Sequence, residues 1–456
     1  MTRSQRLVLA IAVLASFVAF LDGTVVNVAL PAIVDELGGG IATQQWVVDA
    51  YLITLGALIL VAGSVSDAFG RLLVLRLGLV LFGVASVAIA LAPDPVFLVV
   101  ARAAQGVAGA LLVPSSLALI TAHFDGLARG KAIGTWTGLT SVAMIVGPAL
   151  GGVFVDLASW RLAFLINVLP IAVTLLLLGM LTREGVRDER REGVRIDILG
   201  AVLCTLGLGG PVFALIEQGN LGWGHPAIWL SMTLGLVAFA AFLVRQRFAA
   251  NPILPLSLFR ARNFWTGNLA TWFIYGALGL TSVVVGVYLQ EGAGLPATLA
   301  GLAALPSTVL MILFSSRVGA LAGRFGNRLF MTVGPILAGL GTLLYLFVSP
   351  DFDYWTQVLP AVLVFGAGLT LTVSPLTSAI LGAIEPARAG TASAVNNAVA
   401  RVAGLVMVAL LGIIAGGALD LDGFRRATVV TAALLIAGGV VSFLGIRDRR
   451  DGILTP

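Results

Sequence analysis

Fourteen separate apolar stretches, each about long enough to cross a lipid bilayer, fill most of this 456-residue chain. A helix that spans a bilayer needs about 20 mainly apolar residues. Backbone groups inside lipid must be hydrogen-bonded within the protein, so helices and closed barrels are the two options. The stretches are too long and too uniformly apolar for barrel strands, which alternate over about 10 residues. The pattern predicts an all-α polytopic membrane protein with spans at residues 7–31, 45–66, 73–92, 96–121, 132–156, 161–181, 197–217, 227–245, 265–290, 298–321, 329–348, 355–383, 391–416 and 427–446.

The composition agrees with this class and excludes others. Hydrophobic residues make up 59% of the chain and charged residues 11%, whereas soluble domains carry about 25% charged residues. The formal charge of +5 indicates no nucleic-acid partner, and His123 and His225 are too isolated to propose a metal site. The sequence contains no phosphate-binding GxxxxGK[ST] loop, which argues against nucleotide-driven transport within this chain. The expected partner is the lipid bilayer, with no cofactor and no obligate protein partner.

Basic residues follow the predicted topology. With the N-terminus inside, alternate loops carry 22 of the 27 basic residues, while the opposite loops carry Arg161, Arg425 and Arg426. Basic residues favour the cytoplasmic side of a membrane. We therefore expect an even number of spans, both termini in the cytoplasm, and a location in the cell inner (plasma) membrane.

One internal repeat is visible, because similar glycine-containing segments follow the second and the tenth spans. Repeated halves are typical of secondary transporters. They predict an N-terminal six-helix half (1–182), a linker with two additional spans (183–262), and a C-terminal six-helix half (263–456). We interpret the segments as cytoplasmic gating motifs, with a simple tight turn as the alternative. The predicted gating residues are Gly63, Asp67, Gly70 and Arg71 in the first segment, and Arg324 and Arg328 in the second.

Two carboxylates and one arginine are candidates for proton coupling. Asp22 lies about 22 Å from the start of the first span, where a carboxylate is costly unless it faces a cavity, pairs or takes up a proton. A structural carboxylate bonded to a neighbouring helix is the alternative. Asp49, near the outer end of the second span, is a second candidate carrier, although an interfacial, permanently ionised role is equally open. Arg102 in the fourth span either modulates proton transfer at Asp22 or extends to the interface.

The fifth span carries a run of small residues around a proline, Gly147-Pro148-Ala149-Leu150-Gly151-Gly152. Small residues four apart let helix backbones approach closely, and Pro148 removes a backbone donor and can kink the helix. A generic packing helix is the alternative.

Polar and aromatic side chains within the spans are candidates for a substrate pathway. Asn397 and Arg401 are four residues apart and share one helix face with Ser393. Aromatic side chains offer apolar contacts to a hydrophobic substrate, although ordinary packing is the commoner use. The expected substrate is a small molecule of lipophilic or cationic character. The predicted pathway residues are Asn27, Gln105, Trp136, Trp272, Tyr275, Asn397 and Arg401.

Together these motifs resemble the major facilitator superfamily, and specifically its fourteen-span drug:proton antiporters. The resemblance covers essentially the whole chain. It departs from the family pattern at Ala68 and Leu72, where basic residues are usual, and at Ala143, where a glycine is usual. The segments that carry it are Leu21–Pro31, Gly63–Arg71, Arg102–Gly109 (in which the arginine is linked to proton movement), Gly147–Gly152, and Trp160-Arg161-x-x-Phe164-x-x-Asn167.

The resemblance implies a major facilitator fold, with two six-helix halves plus two extra central transmembrane helices. It implies a transporter rather than an enzyme: an exporter of drugs or other small hydrophobic or amphipathic molecules that works by alternating access and uses the proton gradient. A proton-coupled metabolite symporter and a non-transporting membrane sensor or scaffold are the alternatives, and substrate flux in vesicles separates all three.

Overall fold

The structure is a computed structural model that describes residues 1–184, 196–249, 252–385 and 388–448. The described chain folds into eighteen α-helices and no strand. The helices are α1 (Arg3–Leu37), α2 (Gly40–Phe69), α3 (Arg71–Ala90), α4 (Pro95–His123), α5 (Gly126–Ser141), α6 (Ala143–Leu157), α7 (Leu162–Leu165), α8 (Val168–Arg183), α9 (Ile198–Leu221), α10 (Pro226–Phe248), α11 (Arg262–Glu291), α12 (Ala297–Leu302), α13 (Leu305–Phe325), α14 (Asn327–Leu343), α15 (Leu359–Gly382), α16 (Ala389–Ala409), α17 (Leu411–Ala415) and α18 (Leu421–Gly445).

Every predicted span overlaps helical structure, so the prediction of an all-α polytopic membrane protein is confirmed. Thirteen helical stretches of the described chain are long and apolar enough to cross a membrane. The remaining predicted span, 45–66, lies inside the 30-residue helix α2. The fifth span is divided between α5 and α6, which meet at Val142.

Short polar residues and glycines set the helix ends. Asp94 precedes Pro95 and accepts the backbone N–H of Phe97 at 2.9 Å, which caps α4. Asp197 caps α9 through the Gly200 N–H in the same way, also at 2.9 Å. Such caps satisfy backbone donors that the first helical turn leaves open. Gly70 separates α2 from α3 with φ +101°, a left-handed conformation that favours glycine.

The described residues form two compact units. The first comprises Met1–Leu254, Val285–Leu302 and Val408–Leu419, and the second comprises Pro255–Val284, Ala303–Met407 and Asp420–Pro456. The predicted three-part division at 182 and 262 is a different, sequence-based grouping and stays a prediction. Residues 185–195 of the predicted linker segment (183–262) lie outside the described part of the chain.

In the first unit, α1 packs against α4, α6 and α8, and α2 packs against α4 and α9. The apolar core between these helices includes Leu75, Leu79 and Phe82 of α3. The two additional helices, α9 and α10, pack along each other. In the second unit, α14 packs against α15 and α18, and α13 packs against α15. The site described next lies within the first unit.

Candidate functional site

Asp22 lies inside the first unit, with no exposed surface. Helix α1 holds it among α2, α4, α6 and α8, which pack around that helix. A buried carboxylate without compensation is strongly unfavourable. Its surroundings therefore decide what it can do.

Arg102 of α4 supplies that compensation through a buried ion pair. Its Nη1 donates to Asp22 Oδ2 at 2.6 Å, and its side chain is 1% exposed. An arginine that extends to the membrane interface keeps its head in water, so the interfacial alternative for Arg102 is wrong. The structure joins two of the three predicted proton-coupling residues directly.

The Arg102 guanidinium is fixed from three further directions. Its Nε donates to the Val47 carbonyl at 2.9 Å. Its Cζ lies 4.4 Å from the centroid of the Tyr51 ring and 5.6 Å from that of Phe164. Aromatic faces attract cations within about 6 Å. Charge, backbone and ring contacts thus hold the arginine in one position.

Helix α4 reaches this position because it approaches α2 very closely. A Cβ at Gly106 would overlap the Tyr51 carbonyl oxygen. Glycine at this position is thus what lets Arg102, one turn earlier on α4, reach Val47 and Tyr51. The Arg102–Gly109 motif therefore combines a charged side chain with the small residue that places it.

Polar side chains complete a hydrogen-bond network around the carboxylate. Gln105 Nε2 donates to Asp22 Oδ1 and to Ser86 Oγ, each at 2.9 Å, while Gln105 Oε1 accepts from Arg102 Nη1 at 2.5 Å. Asn167 Nδ2 donates to Asp22 Oδ1 at 3.1 Å and to Ser86 Oγ at 3.4 Å. All five side chains are buried. We call Asp22, Ser86, Arg102, Gln105 and Asn167 the Asp22 cluster.

Sequence reasoning did not place Ser86 or Asn167 in this cluster, and it assigned Gln105 to the substrate pathway. A signal was present in the Trp160–Asn167 motif. Trp160 Nε1 and Arg161 Nη1 both donate to Glu36 at 2.6 Å, which anchors the chain before α7. Phe164 and Asn167 then lie one and two turns further along, against Arg102 and Asp22.

Asp49, the second predicted carrier, lies outside this cluster. It has no exposed surface, and no described residue hydrogen-bonds either of its carboxylate oxygens. On α2 it lies one turn from Gln45 and from Ile53. Helix α2 begins at Gly40, five residues before the predicted span, so Asp49 is deeper in its helix than expected. Its role in proton coupling stays a prediction.

The small-residue run of the fifth span packs α6 against two helices. A Cβ at Gly147 would overlap Thr24 Oγ1 of α1, and one at Gly151 would lie 2.7 Å from Val25 Cγ2. On the other side of α6, a Cβ at Gly152 would overlap Thr298 Cα and lie 2.6 Å from the Ala297 carbonyl oxygen of α12. Pro148 lies within α6 between these contacts.

The two gating segments have similar backbone conformations at their glycines. Gly70 and Gly326 both adopt positive φ, +101° and +93°, immediately before a helix. In the second segment, Asp448 accepts the Arg328 N–H at 3.1 Å, and Arg328 Nε donates to the Phe443 carbonyl at 2.8 Å. The Asp67 side chain lies outside the described part of the structure, so its gating role stays a prediction with those of Gly63, Arg71 and Arg324.

The remaining predicted pathway residues are divided between the two units. Trp136 Nε1 donates to Ser16 Oγ at 3.0 Å in the first unit, where Asn27 is partly exposed. In the second unit, Trp272 and Tyr275 of α11 and Arg401 of α16 are partly exposed, and Asn397 is exposed. The pathway assignment stays a prediction.

A cavity of about 560 Å³ opens in the first unit where α2 begins and α9 and α17 end. Its lining includes the amide side chains of Gln45, Gln218 and Asn220. None of the predicted pathway residues and no member of the Asp22 cluster is part of this lining.

Comparison with known proteins identifies the family. The family model described as Major Facilitator Superfamily matches residues 12–408. The chain belongs to that superfamily. The resemblance predicted from the motifs is therefore confirmed, and the protein is a multi-pass membrane transporter of a small-molecule substrate, not an enzyme.

Several relatives within the superfamily are similar to this chain over most of its length. The chain is 34% identical to the methylenomycin A resistance protein of Bacillus subtilis, over 89% of this chain and 87% of that protein. It is also 34% identical to the multidrug resistance protein Stp of Mycobacterium tuberculosis, over 90% of this chain and 76% of that protein. The puromycin resistance protein pur8 of Streptomyces alboniger is 34% identical, over 89% and 80%.

Solved structures show the major facilitator fold at low sequence identity. A bacterial homologue of the human lysosomal transporter Spinster, in an inward-facing and unoccupied conformation, matches with TM-score 0.70 and 16% identity over 97% of both chains. The peptide transporter POT in complex with sulfate matches with TM-score 0.72 and 13% identity, over 97% of this chain and 94% of that one. The fold class predicted from the motifs is confirmed.

Proposed function

We propose that this major facilitator protein is a proton-coupled exporter of drugs or other small hydrophobic or amphipathic molecules. It works by alternating access in the cell inner membrane, with both termini in the cytoplasm. It needs no cofactor because the proton gradient supplies the energy. The observation that carries the proposal is the buried Asp22–Arg102 ion pair inside the first unit.

The Asp22 cluster can couple a proton to a conformational change because the ion pair exists only while Asp22 is ionised. Protonation cancels the carboxylate charge, so Arg102 loses its charged partner and keeps its contacts to Val47, Gln105, Tyr51 and Phe164. Breaking one side of a buried charge pair typically costs about 3–5 kcal/mol. Protonation therefore favours a different arrangement around α1 and α4, and substrate binding competes with it.

The proposed direction of transport, out of the cell, and the proposed substrate class rest on the relatives. Proteins named for resistance to methylenomycin A, to puromycin and to multiple drugs are 34% identical to this chain, and a cephamycin export protein of Amycolatopsis lactamdurans is 33% identical over 91% of it. One proton that crosses 100 mV releases about 2.3 kcal/mol. A tenfold concentration ratio of a neutral solute costs about 1.4 kcal/mol, so one proton sustains a gradient of roughly fifty-fold.

A flux assay in proteoliposomes tests the function. Vesicles with the cytoplasmic face outward and an acidic lumen are given permanently charged lipophilic cations, neutral drugs and sugars. We expect drug accumulation that stops when a protonophore collapses the pH gradient. Protein-free vesicles control for passive trapping.

Two outcomes of this assay contradict the proposal. Accumulation that needs an alkaline lumen would indicate symport. No flux of any compound in either gradient would favour a sensor or scaffold.

A further inference from the structure

Asn167 makes unusual use of its side chain. It occupies the position before α8, where asparagine commonly caps the following helix, yet its side chain makes no cap hydrogen bond there. Instead the side chain is fully buried, and Nδ2 donates to Asp22 Oδ1 and to Ser86 Oγ. The residue is thus committed to the Asp22 cluster.

The other end of this amide is unsatisfied. Asn167 Oδ1 is buried and accepts no hydrogen bond from any described residue. Leaving a buried carbonyl oxygen without a donor is unfavourable. The other side-chain oxygens of the described cluster that could accept a hydrogen bond from a protonated Asp22 are already engaged. Gln105 Oε1 accepts from Arg102, and Ser86 Oγ accepts from two amides.

We propose that Asn167 reads the protonation state of Asp22 by turning its amide over. With Asp22 ionised, Nδ2 donates to Oδ1 of the carboxylate, as the structure shows. When Asp22 takes up a proton on Oδ1, the amide rotates about its terminal bond, and Asn167 Oδ1 accepts the new O–H. An asparagine amide carries donors on one end and an acceptor on the other with nearly the same shape, so the turn needs little space.

Gln105 cannot do the same. Its Nε2 donates to Asp22 and Ser86 while its Oε1 accepts from Arg102 Nη1. Turning that amide would place its N–H groups against the guanidinium N–H groups. Two sets of donors would then face each other with no acceptor between them. The engaged Gln105 therefore holds the arginine, and Asn167 is left as the amide free to follow the proton.

The charged groups around Asp22 leave Oδ1 as the site of protonation. Helices α2, α4, α5, α6, α7, α8 and α12 pack against α1. From α4, Arg102 faces Oδ2; from α2, Tyr51 lies against Arg102, while Asp49 lies on the opposite side of that helix. No charged side chain of α5, α6, α7, α8 or α12 forms an ion pair with Asp22 among the described contacts. Oδ1 faces the two amides, so a proton there avoids the guanidinium.

Asn167 is accordingly a positioning residue whose removal affects the protonated form most. In Asn167→Leu, the ionised carboxylate loses one of its three donor side chains and keeps Arg102 and Gln105. The protonated carboxyl loses the one acceptor that the described cluster offers it, and its buried O–H is left without a partner. Proton binding should therefore weaken. We expect the pH midpoint of proton-driven efflux to move about one unit lower. This is a tenfold change in the proton concentration at the midpoint, and it corresponds to the free energy of about one hydrogen bond.

The test measures efflux against pH in proteoliposomes for the wild type, Asn167→Leu and Asn167→Ser. The serine hydroxyl can donate or accept, so it should return the midpoint toward the wild-type value. Asn268→Leu removes a buried amide that contacts no carboxylate and serves as the matched control. It should leave the midpoint unchanged. Infrared difference spectra of the protonated Asp22 carboxyl, assigned by their loss in Asp22→Asn, should shift in Asn167→Leu and so give a second readout in any variant that folds but transports slowly.

This inference rests on the proposed proton coupling at Asp22, and the two fail differently. If Asp22→Asn leaves the pH profile unchanged, the proposed function is wrong. If Asp22→Asn flattens the profile but Asn167→Leu leaves both midpoint and carboxyl band unchanged, the switch is wrong. A midpoint that moves higher in Asn167→Leu would also overturn it, because Asn167 would then act only as a donor to the ionised form.

Discussion

At the residue scale, Asp22 and Arg102 form a pair in which each side chain makes the burial of the other possible. Both lie at 1% exposure or less and are joined at 2.6 Å. A buried pair contributes little net stability relative to apolar side chains, yet removing one partner strands a charge. The pair is therefore suited to switching, because its cost changes with one proton.

Arg102→Gln should lower thermal stability strongly in the wild-type background, by about 3–5 kcal/mol where Asp22 stays ionised. The same substitution should lower the stability clearly less in the Asp22→Asn background, because no buried charge is then left without its partner. Thermal unfolding of the four proteins in detergent, at a pH where Asp22 is ionised, measures the difference. Equal losses in both backgrounds would show that the pair is not coupled.

Residue roles were predictable from the sequence where charge made them conspicuous. Asp22 and Arg102 stand out because a charged side chain in an apolar span needs a partner. Ser86 and Asn167 are uncharged and cost much less to bury, so their chain positions gave no comparable signal. Which partner each polar group finds depends on how α3, α4 and α8 pack, and that is not encoded in the local pattern.

At the element scale, α6 shows how a short motif sets helix packing. Its glycines lie against Thr24 and Val25 on α1 and against Ala297 and Thr298 on α12. Hydropathy alone predicted this span, whereas its division from α5 at Val142 and its contact with α12 depend on tertiary packing. The two sides of α6 also differ in what an added methyl group would meet.

Gly152→Ala should impair assembly and transport more than Gly147→Ala. The new Cβ at Gly152 meets the backbone of Thr298, which cannot turn away, whereas the one at Gly147 meets the Thr24 side chain. Overpacking of this kind typically costs about 1–3 kcal/mol. Gly138→Ala on α5 is the matched control, because nothing lies within 4 Å of its added Cβ. Expression, thermal stability and efflux are measured, and a normal Gly152→Ala protein would contradict the packing.

A carboxylate on α6 also caps α12. Asp156 accepts the Ala297 N–H at 2.9 Å and the Thr298 N–H at 2.8 Å. Asp156→Ala should therefore loosen the first turn of α12 by about 1 kcal/mol, the typical value of such a cap. Hydrogen exchange at the Ala297 and Thr298 amides should become roughly fivefold faster. Asp94→Ala, which removes the cap of α4, should leave these amides unchanged; unchanged exchange in Asp156→Ala would contradict the cap.

At the scale of the whole molecule, topology and coupling direction are linked. The basic loops predict both termini in the cytoplasm. Cys204 is the one cysteine of the chain, so a Cys204→Ser background permits single engineered labels. Thr2→Cys and Pro456→Cys should react with a membrane-impermeant reagent only from the cytoplasmic side, and Asp351→Cys, in the loop before α15, only from outside. Labelling of either terminus from outside would contradict the predicted orientation.

The number of spans and the helical class were predictable from the sequence, because lipid leaves few ways to satisfy a backbone. Cavities were not. The space between the ends of α2, α9 and α17 is lined largely by glycines and amides, residues that carry no distinctive pattern in the chain. Substrate range depends on such shapes, which arise from packing over the whole molecule.

The central claim is that Asp22 carries the coupled proton, and one substitution tests it most directly. Asp22→Asn keeps nearly the same volume and cannot ionise. In acid-lumen proteoliposomes it should abolish uphill drug accumulation and flatten the pH dependence of drug binding, while exchange of labelled for unlabelled drug persists. Asp353→Asn, which changes a carboxylate outside the spans, should behave as wild type. If the Asp22→Asn protein still accumulates drug uphill with an unaltered pH profile, Asp22 is structural and the account is contradicted.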